Sequence, residues 1–201
     1  MVGWVVCKQR TQLMSVLMSV ITNGHLELMR DSSKTFPELE CSSTVRTARI
    51  WHCKYRSLAA IGALTNLEEL VIGSMPDLSL EFLGKLSRLR YLSIDHMPSI
   101  TSLMALQKLT NLEVLSLSTS PGWDAARKCT IVDSLMPLAT LPRLKQLQLF
   151  GVCPPDKSLR DLQSGPSLES ARFSQYPADE IARFFLETGL PDTPAAWASF
   201  Q

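Results

Sequence analysis

The sequence predicts an α/β solenoid. Each coil in the stack gives one strand to a curved parallel sheet on the concave side and a 3₁₀ turn or short helix to the convex side, with a helical cap at either end. Three observations carry this. The segment Leu67-Glu-Glu-Leu70-Val-Ile72 recurs as Leu89-Arg-Tyr-Leu92-Ser-Ile94, Leu112-Glu-Val-Leu115-Ser-Leu117 and Leu144-Lys-Gln-Leu147-Gln-Leu149. Its first leucines stand at 67, 89, 112 and 144, spacings of 22, 23 and 32 residues, and self-similarity at such a period marks stacked units. Ahead of each segment an aliphatic residue falls at every third position (Leu58, Ile61, Leu64; Leu80, Leu83, Leu86; Leu103, Leu106, Leu109; Leu135, Leu138, Leu141). That spacing suits 3₁₀ turns, in which i and i+3 eclipse.

Within each segment the Leu-x-Leu alternation sends both leucines to one side of a strand and the intervening residues to the other. Taken in order, Gln9 to Thr22 places Leu13, Val16, Leu17, Val20 and Ile21 at helical spacing, and Asn23-Gly24 stops the run. Residues 1–35 are therefore expected to be an N-terminal helical cap, since an open solenoid end exposes its core. A membrane-surface helix is disfavoured because the polar face carries Gln12, Ser15 and Ser19 rather than lysines. Phe36, Leu39, Ser42, Val45, Ala48, Ile50 and Cys53 form a degenerate first repeat with a strand at Thr47 to Trp51. Regular strands follow near Glu69 to Gly73, Tyr91 to Asp95, Val114 to Ser118 and Gln146 to Phe150. A degraded last unit (Leu159, Leu162, Gly165, Leu168, Ala171, Phe173) places a strand near Ser170 to Ser174. In all, residues 36–176 should hold about six coils. The longer third spacing puts an insertion at 119–131. Residues 177–201 supply a C-terminal capping helix over Ala178 to Leu190, with Asp179 and Glu180 at its start and Gly189 at its end, and a tail with Trp197 and Phe200.

These segments resemble the leucine-rich repeat family in its short form of about 22 residues. They look like the phosphatase-regulator type and like small stand-alone bacterial repeat proteins. The resemblance implies the curved sheet and a partner bound on its concave face. The family's asparagine, three residues after the second strand leucine, is replaced here by Cys53, Met75, Met97, Ser120, Val152 and Tyr176. Proline follows nearby at Pro76, Pro98, Pro121, Pro154 and Pro177. Proline lacks an N–H and fixes φ, so apolar residues plus proline are expected to replace the asparagine ladder and remove a buried donor at each turn.

Composition narrows function. Twenty basic residues against nineteen acidic leave a formal net charge of +1, which gives no electrostatic reason to expect nucleic acid or an anionic membrane. Five cysteines with no CxxC pair point to a reducing, cytoplasmic setting. The apolar run Leu13 to Ile21 covers nine residues, short of the roughly 20 that a membrane span needs. Lys8 and Arg10 ahead of it imitate a signal peptide, but no small-x-small cleavage site follows. No phosphate-cradle, HExxH or GxSxG motif occurs, and three histidines with unpaired cysteines make no zinc pattern. No cofactor, metal or catalytic residue is predicted, and the chain reads as non-enzymatic.

The expected site is the concave face. Its outward strand residues include Arg49 and Trp51; Glu69 and Val71; Tyr91, Ser93 and Asp95; Val114 and Ser116; Gln146, Gln148 and Phe150; and Arg172. Aromatics amid Ser, Gln and Val have the composition of a protein-recognition surface, although strand aromatics also pack on cross-strand neighbours. Trp123, in the insertion, either tucks over the coil edge or anchors a partner. The predicted function is recognition of a protein or peptide partner. The alternative is a targeting arm of a larger enzyme or effector, for example of ubiquitin-ligase type.

Overall fold

In the computed structural model, residues 20–39, 42–163, 165 and 168–191 are described. The sheet begins with a hairpin. β1 (Val20–Thr22) pairs antiparallel with β2 (His25–Met29) across a turn at Asn23 and Gly24. Both turn residues have positive φ, 53° and 80°, the geometry of the tight hairpin turn that Asn-Gly favours. This corrects the helix expected over Gln9 to Thr22: its end is strand, and residues 9–19 lie outside the described residues. β2 then starts a parallel series. It continues through β3 (Thr47–Trp51), β4 (Glu69–Ile72), β5 (Tyr91–Asp95) and β6 (Val114–Ser118). Two later strands, here β8 (Gln146–Phe150) and β10 (Ser170–Ser174), complete it. Among the described residues seven parallel strands are present rather than about six, because the coil of β2 sits one period before the first predicted strand.

Register follows the leucine pattern. Leu26, Ala48, Leu70, Leu92, Leu115, Leu147 and Ala171 are cross-strand partners in one inward row, and all are buried. Leu28, Ile50, Ile72, Ile94, Leu117, Leu149 and Phe173 form the second row. The upstream triplets supply the opposite wall from 3₁₀ turns at Ala59–Ala63, Glu81–Lys85 and Met104–Lys108 and a short helix at Met136–Ala139. Fully burying one such leucine stabilises by roughly 1.5–3 kcal/mol, so the stacked rows supply most of the driving force.

The insertion carries a single helical turn, α1 (Pro121–Ala125), and β7 (Thr130–Ile131), which pairs with β9 (Val152–Cys153) as a separate two-stranded sheet. At the C-terminal end a helix (Ala178–Thr188) closes on Gly189 in the left-handed region, φ 69°. Its Phe184 ring meets Phe173 at 5.0 Å, edge to face. The tail with Trp197 and Phe200 lies outside the described residues.

The corner after each strand departs from the expected proline role. Pro76, Pro98, Pro121 and Pro177 are exposed and only Pro154 is buried, so at four of the five turns no buried donor was there to remove. The corners are filled by Met75, Met97, Val152 and Tyr176, all buried, and by half-buried Cys53. The Cys53 thiol donates to the Leu28 carbonyl at 3.4 Å, and the Tyr176 hydroxyl donates to the Val152 carbonyl at 2.7 Å. Asparagine amides serve the opposite corner: Asn66 donates to Ser43 O and Asn111 to Ser87 O, each at 2.8 Å, at exposed sites.

Candidate functional site on the concave sheet face

Alternation along the strands leaves three rows of side chains facing away from the core. The central row reads Glu27, Arg49, Val71, Ser93, Ser116, Gln148 and Arg172 across the registered strands. At its start Arg49 approaches Glu27 at 3.8 Å and places its guanidinium carbon 5.2 Å from the centre of the Trp51 ring. Toward its other end the Gln148 amide donates to Ser116 Oγ at 2.9 Å. Between them Val71, at 8 % exposure, and Ser116, at 5 %, form a shallow floor.

Trp51 is fixed in place. Glycine at position 73 is required by its indole, because a Cβ there would lie 2.8 Å from Trp51 Cε3, closer than real Cβ contacts come. The His52 ring packs edge-on at 5.0 Å. Arg49, Gly73 and His52 together hold a half-buried tryptophan flat across the next strand, as a wall beside the floor. Phe150 stands half-buried farther along the same row as Trp51, which also holds Asp95 and Ser118, where Ser118 Oγ donates to Asp95 Oδ1 at 2.9 Å. Tyr91, Glu69, Val114 and Gln146 are cross-strand partners along the remaining row, with Val114 buried among them.

Trp123 lies outside these rows. Its ring meets His96 edge to face at 5.1 Å, and Lys128 Nζ sits 6.0 Å from the ring centre. The insertion is tied to the last coil by Gln175, whose amide donates to Asp124 Oδ1 at 2.8 Å and to its carbonyl at 3.0 Å. The structure thus brings the predicted strand residues together on one surface and holds Trp123 at its lower edge, half-buried. The face also extends over His25, Glu27 and Met29 of β2, which sequence reasoning missed. The signal was present: Asn23-Gly24 leads into alternating His-Leu-Glu-Leu-Met, and His25 lies one period ahead of Thr47. Met29 is 41 % exposed beside its partner Trp51.

The upper rim carries a second arrangement. From β3 onward the residue just before each strand of the main sheet alternates in charge: Arg46, Glu68, Arg90, Glu113, Lys145, Glu169. Neighbours pair as Arg46–Glu68 at 3.2 Å, Arg90–Glu113 at 3.0 Å and Lys145–Glu169 at 3.7 Å.

Two of the thiols, Cys53 and Cys153, are held away from the reactive form. Burial and the adjacent Cys129 push the Cys153 thiol up to about 12, and burial raises Cys53 as well. Reactive cysteines need a lowered value. Among the described residues no three His, Cys, Asp or Glu side chains are placed to share a metal ion. No helix among them is long and apolar enough to cross a membrane.

No protein-family model matches the sequence, and no curated protein matches it. Solved structures do. Internalin C2 from Listeria monocytogenes superposes with a TM-score of 0.56 at 20% identity over 80% of this chain and 66% of that one. The internalin InlF from the same organism gives 0.51 at 17% identity, over 78% of this chain and 50% of that one. The leucine-rich repeat domain of the type III effector XopL gives 0.50 at 20% identity, over 75% and 51%. The chain therefore spans about half to two thirds of the length of these neighbours, and at such identities the likeness speaks to fold. By architecture, register and these matches, the chain is a leucine-rich repeat solenoid.

Proposed function

We propose that this protein is a non-enzymatic recognition module that takes a protein or peptide partner on its concave sheet face. One observation carries the reading. Trp51 is held flat by Gly73, Arg49 and His52 beside a floor of Val71, Ser93, Val114 and Ser116. A fixed aromatic next to a low floor loses little side-chain entropy on binding, which is what binding hot spots exploit. Tyr91 and Phe150 complete the set of anchors. Glu69, Asp95, Gln146, Gln148 and Arg172 supply polar contacts around them, and Trp123 borders the lower edge. The free thiols Cys53, Cys129 and Cys153 fit a reducing, cytoplasmic site of action.

A second reading is supported by the XopL match, which aligns this chain with one domain of an effector. Under it the same face selects the target of a larger protein. Both readings place the partner on the concave face and are tested together. Wild type and a Trp51→Ala, Tyr91→Ala, Phe150→Ala variant are used as bait in lysate from the source organism, with bound proteins identified by mass spectrometry. The reading expects a specific partner held by wild type and lost from the variant. A partner retained by the folded variant contradicts it.

A further inference from the structure

The upper rim of the solenoid holds a recess of about 280 Å³ lined by Glu68, Arg88, Arg90, Asn111 and Arg143. None of these residues belongs to the proposed concave site. Three guanidiniums and one carboxylate line the recess, and a second carboxylate, Glu113, holds Arg90 from beside it. Arginine stays protonated at every relevant pH, and like charges gathered at one site repel unless an anion sits between them.

Nearby carboxylates answer Arg90 alone, on which Glu113, Glu68 and Glu69 all act, and among the described residues none pairs with Arg88 or Arg143. Glu68 is engaged by Arg46 at 3.2 Å. Arg90 donates to Glu113 through Nε alone, at 3.0 Å. Arg143 donates to Asn111 Oδ1 through Nη1, at 3.0 Å, and the Asn111 amide is in turn held by the Ser87 carbonyl at 2.8 Å. Arg88 makes no hydrogen bond or ion pair among the described residues. Each of the two anchored arginines uses one of its five N–H donors, so the anchoring orients the guanidiniums and leaves most of their donors open to the recess.

We infer that this recess is a binding site for an oxyanion group, a carboxylate or a phosphate. The planar guanidinium fork matches both chemistries with paired hydrogen bonds. The arrangement follows from the repeat itself. The position two before the charge ladder reads Asn66, Arg88, Asn111, Arg143, so coil stacking sets an arginine on either side of Asn111, with Arg90 of the ladder beside them. Single-coil inspection does not reveal it, because the three arginines belong to two coils that are not adjacent.

The test uses the full chain, ¹⁵N-labelled, titrated separately with inorganic phosphate and with hexaglutamate while the arginine Nε–Hε signals are followed by NMR. Saturable shifts confined to Arg88, Arg90 and Arg143 are expected, weakening as salt is raised. An Arg88→Ala, Arg143→Ala variant should bind at least tenfold more weakly, whereas Arg160→Ala, on the convex side, should bind like wild type. Arg88→Lys keeps the charge and removes the fork, so it should also weaken binding and serves if the double variant fails to fold. Competition between the two probes assigns a general oxyanion site, and binding of one probe alone assigns that chemistry. No saturable shift with either probe, equal shifts at all arginines, or equal weakening by Arg160→Ala would overturn the inference.

Discussion

In the middle of the solenoid the corner after each strand is closed mainly by packing and backbone, with the Thr130 hydroxyl donating to the Met97 carbonyl at 3.4 Å as a long side-chain contact. Met75 and Met97 fill the corners, and the Met75 amide donates to the His96 carbonyl of the next coil at 2.9 Å. At either end side-chain hydrogen bonds take over. The Tyr55 hydroxyl donates to the buried carboxylate of Asp31 at 2.7 Å, the Cys53 thiol reaches Leu28 O, and Tyr176 reaches Val152 O. A coil with a leucine-filled neighbour on both sides excludes water by stacking. A coil near an end has one such neighbour, and there a polar group must satisfy backbone that stacking leaves open. Stability in the middle should therefore answer to volume, and at the ends to hydrogen bonding and pH.

The largest expected effect is in the middle. Leu92 is fully buried between Leu70 and Leu115, and Leu92→Ala should lower the unfolding free energy by about 2–5 kcal/mol in urea denaturation. A loss below about 1 kcal/mol would mean that stacking does not dominate there. Next comes the wall of the concave face. Gly73→Ala forces a Cβ against the Trp51 ring and should cost about 1–3 kcal/mol. In a Trp51→Ala background the same change should cost little, so a double-mutant cycle that shows no coupling would remove the argument that the two residues fix each other.

At the N-terminal end Tyr55→Phe takes a donor from a buried carboxylate that keeps the Ser33 amide at 2.9 Å, and should cost about 1 kcal/mol. The same cluster sets a pH dependence. Burial pushes the Asp31 carboxyl up, but the Ser33 amide and the Tyr55 hydroxyl outweigh it and hold the group below its ordinary 3.8. A carboxyl with a lowered folded value contributes stability that is present above 3.8 and is lost as pH falls through the lower folded value. The urea midpoint should therefore drop on acidification below about pH 4, and Asp31→Asn should flatten that drop. An unchanged slope in the variant would assign the acid sensitivity elsewhere. The smallest effect belongs to the rim: Arg46→Ala breaks an exposed pair and should change stability by less than about 1 kcal/mol, with the difference vanishing in high salt.

The same contrast explains what could be read in advance. Between Thr47 and Ser174 the strand positions followed from the leucines. Every strand of the main sheet there matches its expected span except the one ending at Ile72 rather than Gly73, because a one-residue slip would turn a whole leucine row out of the core; the short β7 and β9 were not foreseen. The N-terminal end was harder. Leu13, Val16, Leu17, Val20 and Ile21 keep helical spacing, and Asn-Gly stops a helix as readily as it turns a hairpin. Only the match of Leu26 and Leu28 to the strand rows one period later decides between them. The concave residues were legible because one-dimensional alternation places them. The clasp of Gly73 and Trp51 and the recess of Arg88, Arg90 and Arg143 were not, since both depend on side chains from different coils meeting across the stack. Prolines after the corners misled for a related reason: their spacing is visible in the chain, but their exposure depends on the path of the turn.

The central claim is that the concave face does the binding, and site-specific photocrosslinking in cells tests it most directly. A benzophenone side chain placed in turn at Tyr91 and Phe150 samples that face. Met104 and Met136, 52 % and 50 % exposed on the convex side, sample the other. The account predicts a discrete crosslinked partner from positions 91 and 150 and none from 104 and 136. Crosslinks from the convex positions alone would contradict it and move the partner to the outside of the curve.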